Sequence, residues 1–140
     1  MLDFNNLDFS NICENWFLNF NDFLNDDKFN YDNLFYSESH WRDFVSITGD
    51  IITFTGFKNF IDTLRNNIIK QNARNFCLDT SRTPPREVVR AGKKVIEAIF
   101  SFKTKEGIGE GVLRLMPSKK NPTHFKCWSI STSLLSLIHI

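Results

Sequence analysis

Cysteine, glycine and proline are all scarce: three, six and four among 140 residues. Cys13, Cys77 and Cys127 lie far apart, are odd in number and form no C-x-x-C pair. That argues against a disulfide framework or a thiolate zinc site and suits small buried thiols in a reducing compartment. The one glycine cluster is Gly107-Ile108-Gly109-Glu110-Gly111. A dinucleotide loop needs its glycines to open a helix after a parallel strand, so that the helix N-terminus meets the pyrophosphate. Here the strand-like Val112-Leu113-Arg114-Leu115 follows, so these glycines are expected at a hairpin and a bulge, and no site for FAD or NADPH is expected in this chain. No Ser-His-Asp or Cys-His arrangement and no metal-ligand spacing stands out, so no metal is expected either. The apolar stretch Leu134 to Ile140 is far too short to cross a bilayer. Met1 to Asp8 has neither the positive charge nor the apolar run of a secretory signal. A soluble, cytoplasmic protein is the expectation.

What is abundant is phenylalanine, fifteen residues of it, ample material for a core. A chain of this length suits one domain able to bury roughly 70% of its unfolded surface. Net charge is +1 but unevenly spread: eleven Asp/Glu against three Lys/Arg before residue 63, five against fourteen after it. Mutual neutralisation within one fold is the simplest reading of that asymmetry.

From Phe9 the apolar positions Phe9, Ile12, Cys13, Trp16, Phe20, Phe23 and Leu24 recur every three or four residues, which predicts a helix with one core-facing stripe, capped near Asn11 and Glu14. Phe29 to Phe35 reads as a second, short helix, and Ser37-Glu38-Ser39 as a turn. Ile51 to Thr55 is β-branched and aromatic and predicts a strand. After Gly56 the spacing of Phe57, Phe60, Ile61, Leu64 and Ile68 predicts a helix. Asn72 to Leu78 reads as a strand leading into the Thr83-Pro84-Pro85-Arg86 loop, which cannot sit inside a sheet. Lys93 to Lys103 alternates with period two, Ile96, Ala98, Phe100 and Phe102 on one face. Gly109 to Met116 returns, and His124 to Leu134 is the last strand. Helices followed by a meander indicate an α+β fold, with helices packed on one face of an antiparallel sheet. The expected boundaries are a tail over 1–9, a domain over 10–134 and a short tail over 135–140.

The most specific stretch is Trp41-Arg42-Asp43-Phe44-Val45-Ser46-Ile47-Thr48-Gly49-Asp50-Ile51-Ile52-Thr53-Phe54-Thr55-Gly56. It resembles the tract W-R-D-x-[LV]-x-[LI]-T-x-D-[LI]-x-T-[FY]-x-G of the nuclear transport factor 2-like (SnoaL-like) N-terminal domain of flavin-dependent monooxygenases. Gly49 stands where that tract carries a bulky residue, often tryptophan. The resemblance implies a cone-like half-barrel, a curved sheet wrapped around helices with a pocket between them. It also implies that FAD and NADPH belong to a Rossmann domain missing here, so that the chain is a truncated front piece.

His40, Trp41, Arg42 and Asp43 place four chemically different side chains in a row. If the segment is extended, Trp41 and Asp43 share one face, with His40 and Arg42 on the other. An Asp43 carboxylate facing a pocket beside an aromatic wall could serve as a proton-transfer base, with His40 as a second candidate. The plainer alternative makes Trp41 core and Asp43 a structural cap or ion-pair partner. Tyr36, Asp50 and His124 are further polar candidates; Phe54, Phe100, Phe102 and Trp128 are candidate apolar walls of the same pocket. The basic residues Arg82, Arg86, Arg90, Lys93, Lys94, Lys103 and Lys105 lack interleaved exposed aromatics and read as a solvated face, so no nucleic-acid partner is expected.

The expectation is therefore an accessory domain that binds a small apolar ligand or docks against a flavoprotein domain. The rivals are a stand-alone cofactor-free isomerase or dehydratase and a dimeric adaptor.

Overall fold

The computed structural model describes residues 4–25 and 33–136. Helix α1 (Phe9–Asn25) buries Cys13, Trp16, Phe17, Phe20 and Phe23, the stripe that the spacing predicts. Its cap is Asp8, whose Oδ1 accepts the Asn11 N–H at 3.1 Å, one turn earlier than expected. The expected tail also belongs to the fold, because Phe4 is buried and packs edge-on against Phe9 and Phe125. Helix α2 (Phe57–Gln71) buries Phe57, Phe60, Ile61, Leu64 and Ile68. It stops at Asn72, whose left-handed backbone turns its N–H onto the carbonyls of Ile68 and Ile69.

Seven strands make one sheet: β1 (Phe35–Phe44), β2 (Ile51–Thr55), β3 (Arg74–Leu78), β4 (Arg86–Arg90), β5 (Lys93–Thr104), β6 (Gly107–Pro117) and β7 (Phe125–Ser136). The order is β2-β1-β7-β6-β5-β3, with β4 lying along the first half of β5. Both helices lie on the face that carries the phenylalanines, α1 against β3 and β7, α2 against β1 and β2. The architecture is the expected α+β one, a curved sheet packed on helices. All pairings are antiparallel except β1 with β7, which run parallel, so the sheet is mixed. Irregularities in register, such as that between Phe35 and His40, bend the strands around the helices.

Several expectations change. Of the proposed short helix, residues 29–32 lie outside the described residues. Leu34 and Phe35 are buried as expected, but Phe35 opens β1, because Cys127 donates its N–H to the Leu34 carbonyl and draws the segment into the sheet. Ser37-Glu38-Ser39 belongs to β1 rather than to a turn. Strand β4, unexpected after two prolines, is an edge strand, where the lost donors cost nothing. β7 runs on to Ser136, past the expected boundary; residues 137–140 lie outside the described residues.

The interior is filled with rings. Trp16 stacks on Phe20 at 5.0 Å, Phe35 on Phe57 at 4.7 Å and Phe76 on Phe102 at 4.8 Å. Glycines on β6 make room for the largest of these. A Cβ at Gly109 would lie 2.1 Å from the Phe102 ring, and one at Gly111 would lie 2.1 Å from the Ser131 carbonyl and 2.4 Å from the Phe100 ring. Gly107 sits at the hairpin and Gly109 beside a bulge, as the sequence predicts, but Gly109 and Gly111 serve mainly as seats for phenylalanine.

Candidate functional site

The tract from Trp41 to Gly56 forms the β1–β2 hairpin and the entry to α2. Trp41 and Asp43 do share the inward face, and both are fully buried. Asp43 accepts hydrogen bonds from five donors. Ser46 Oγ and Thr132 Oγ1 reach Oδ1 at 2.7 Å each. Thr48 N–H and Oγ1 reach Oδ2 at 2.7 and 2.8 Å, and the Ile47 N–H lies between the two oxygens at 3.2 and 3.1 Å. Thr132 in turn accepts the Trp41 indole N–H at 2.9 Å, so β1, β7 and the hairpin loop are tied at one carboxylate.

This arrangement occupies the lone pairs that a base would need, and it makes Asp43 a structural cap. His40 points to the opposite face, where Nδ1 lies 3.2 Å from Thr55 Oγ1 and the ring meets Trp128 edge-on at 6.1 Å. The two candidate catalytic groups are thus not brought together. The capped loop also holds Val45 at φ 72°, a left-handed conformation costly for a β-branched residue. Phe54 stacks on Trp41 at 5.1 Å, and Gly56, at φ 87°, makes the turn into α2. Gly49 lies exposed in the loop with open space around it, so the bulky residue of the tract would form no pocket wall there. Asp50 is exposed and contributes its backbone, the carbonyl accepting the Val45 N–H.

The expected apolar pocket walls Trp41, Phe54, Phe100, Phe102 and Trp128 line neither of the two concavities described below. Trp41, Phe100 and Phe102 lie in the packed core, and Trp128 lies half-buried on the outer sheet face. Tyr36 is different. It lines a cleft of about 1020 Å³ at the mouth of the cone, between β1, the first turn of α2 and the β6–β7 connection. His124, raised as a candidate from the sequence, lines it too.

Local folding fixes these walls. The Tyr36 hydroxyl donates to the Pro117 carbonyl, and burial holds its phenol above the usual tyrosine range, so it stays protonated near neutral pH. His124 Nε2 lies 2.7 Å from the Asn33 carbonyl, while the Ser118 N–H donates to the His124 carbonyl and the His124 N–H to that of Asn121. Lys58, Lys119, Lys120 and Lys126 also line the cleft, against one carboxylate among the described residues, Glu38. Lys126 Nζ lies 5.3 Å from the centre of the Tyr36 ring. None of the four lysines was a candidate on sequence; the surplus of basic residues after residue 63 was the only signal, and Lys58 lies outside even that.

A second groove, of about 420 Å³, runs between α1 and β3 with Phe17, Leu18, Phe76 and Leu78 along it. On the outer sheet face Glu97 meets Arg86, Arg90 and Arg114, and Glu110 meets Arg82. Part of the basic series is therefore paired as well as solvated. Among the described residues no cluster of His, Cys, Asp and Glu has the geometry of a metal site. No described helix is long and apolar enough to cross a membrane.

No family model matches the chain, and no curated protein matches it in sequence. Among solved structures it is similar to one titled "Rd1NTF2_04 with long sheet", an NTF2-like design, with a TM-score of 0.56 and 12% identity over 86% of this chain and 98% of that one. The fold is NTF2-like. In NTF2-like terms, the cone of this chain is closed by phenylalanine and its concavity lies outside, at the rim.

Proposed function

We propose that this chain is an accessory, small-ligand-binding NTF2-like module that takes its ligand at the rim of the cone. The cleft of about 1020 Å³ supports this reading, being large enough for a small molecule and walled by groups that other bonds hold in place. The resemblance of residues 41–56 extends it: the module would serve a cytoplasmic flavin-dependent monooxygenase whose FAD and NADPH sit on a separate domain. Proton-transfer chemistry at Asp43 has less support, since five donors already engage that carboxylate.

The test is a small-molecule screen by thermal shift on the full chain and on Ser37→Trp, which places an indole in the cleft from an exposed position. Ligands that raise the melting temperature of the wild type should fail to do so in the variant. Ligands that act equally on both would place binding elsewhere.

A docking role is favoured by a separate observation. Phe44, Val45, Ile51 and Ile52 are all exposed at the tip of the β1–β2 hairpin, an apolar group on a rigid support. If the tip meets a second copy, sedimentation will show a concentration-dependent dimer that Phe44→Ser with Ile51→Ser abolishes. A monomer at every concentration would leave another domain as its partner.

A further inference from the structure

We infer that the rim cleft takes a small molecule with a multiply charged anionic head, of the phosphate type, on a compact apolar body. This rests on the rim cleft being the ligand site proposed above. Four lysines line the cleft from three separate parts of the chain: Lys58 from α2, Lys119 and Lys120 from the β6–β7 connection, and Lys126 from β7. Among the described residues Glu38 is the only carboxylate lining the cleft, and the first turn of α2 contains no acidic residue, Asp62 coming one turn after Lys58. A concave site lined by one sign of charge focuses its field on the ligand.

The type of cation describes the site. Among the described lining residues there is no arginine, whose planar fork would grip a carboxylate or a phosphate bidentately. Lysines act as separate point charges and suit an anion that offers several oxygens in different directions. The remaining wall combines the polar Asn33, Ser37, Ser118 and Asn121 with aromatic rings. Phe35 and Phe57 are stacked at the floor, and the Tyr36 ring lies under Lys126, so a ligand body beside the anionic head meets apolar surface. His124 and Tyr36 are engaged with backbone carbonyls and shape the cleft without supplying its charge.

The experiment is calorimetric titration of the full chain with phenyl phosphate, inorganic phosphate and benzyl alcohol. Phenyl phosphate should bind most tightly. Its affinity should fall about tenfold or more in Lys58→Ala/Lys119→Ala/Lys120→Ala, a change confined to exposed side chains, and should weaken as salt rises. Lys93→Ala/Lys103→Ala/Lys105→Ala removes equal charge outside the cleft and should leave the affinity within about threefold, as expected for screened distant charges.

Equal losses in both triple variants would overturn the inference, because the whole domain's charge and not the cleft would then attract the anion. Equal binding of inorganic phosphate and phenyl phosphate would overturn its apolar half. If phenyl phosphate fails to bind while neutral compounds still raise the melting temperature in a Ser37→Trp-sensitive way, the anionic inference fails and the rim site stands. If no compound of either kind is sensitive to Ser37→Trp, both fail together.

Discussion

Replacing Asp43 by asparagine keeps its size and removes one acceptor oxygen at the point where β1, β7 and the hairpin loop meet. The new amide group can face either of two sides. Toward Oδ2 it would confront the N–H groups of Ile47 and Thr48, which cannot reorient. Toward Oδ1 it meets the hydroxyls of Ser46 and Thr132, which can rotate, although Thr132 already accepts the Trp41 indole N–H. The second placement is the cheaper one. It still forfeits two hydrogen bonds to an anion and leaves the others neutral. At about 1.5–3 kcal/mol per hydrogen bond to a charged group, the loss is about 3–6 kcal/mol.

For a domain of this size that corresponds to a fall of roughly 10–20 °C in melting temperature. Circular dichroism with urea unfolding would measure it, and Thr132→Val would provide the second arm of a double-mutant cycle. Because the two residues share one bond, their costs should be less than additive. An Asp43→Asn protein that melts within about 2 °C of wild type would refute the capping argument. Were such a protein also to lose turnover of a small carbonyl substrate, the proton-transfer reading would return.

Other expectations follow from the same geometry. Cys13, whose thiol is pushed up to about 12 by burial and then by Glu14, and Cys127, raised well above the usual range by burial, should not react with Ellman's reagent in the native state. Exposed Cys77 should then react alone, and the release of more than one thiol equivalent before unfolding would contradict this. Gly111→Ala presses a methyl against both the Ser131 backbone and the Phe100 ring and should cost about 1–3 kcal/mol or more, whereas Gly109→Ala meets the buried Phe102 ring without a backbone clash and should cost less. Urea midpoints that rank the two in reverse would show the packing argument to be wrong.

Burial pushes the Glu97 carboxyl upward, but the bond and charge from Arg114 and those from Arg90 overcome it and hold the group below the usual range. A lowered carboxylate stabilises the fold above its unfolded value, about 4.3, and that contribution disappears as pH falls through the lower folded value. Glu97→Gln should therefore lose less stability than wild type between neutral and strongly acidic pH; parallel losses would rule the contribution out.

The elements that a single face determines were legible in the sequence. Trp16, Phe20 and Phe23 mark α1, Phe60, Leu64 and Ile68 mark α2, and Phe100 with Phe102 marks the inward face of β5. Each records a local period that the chain carries wherever its partner lies. The shared face of Trp41 and Asp43 follows from the same alternation. What alternation does not carry is whether an aromatic face meets a ligand or another aromatic face, and so Phe100, Phe102 and Trp41 were candidates for a pocket and form the core. The rim cleft was illegible for a different reason. Lys58 is far in the chain from Lys119, Lys120 and Lys126, and only the return of β7 beside β1 brings their walls together.

That return also has a temporal meaning. β1 lies between β2, its neighbour in sequence, and β7, the last of the seven described strands to leave a ribosome. Until β7 has emerged, Thr132 is missing from the Asp43 cap, Trp41 has no acceptor, and β1 keeps one edge unpaired. Loop-closure entropy over so long a separation must be met before any of these contacts forms, which slows folding. The nascent chain should therefore carry its phenylalanine-rich first half unsheltered until β7 has emerged, a stage at which chaperones bind.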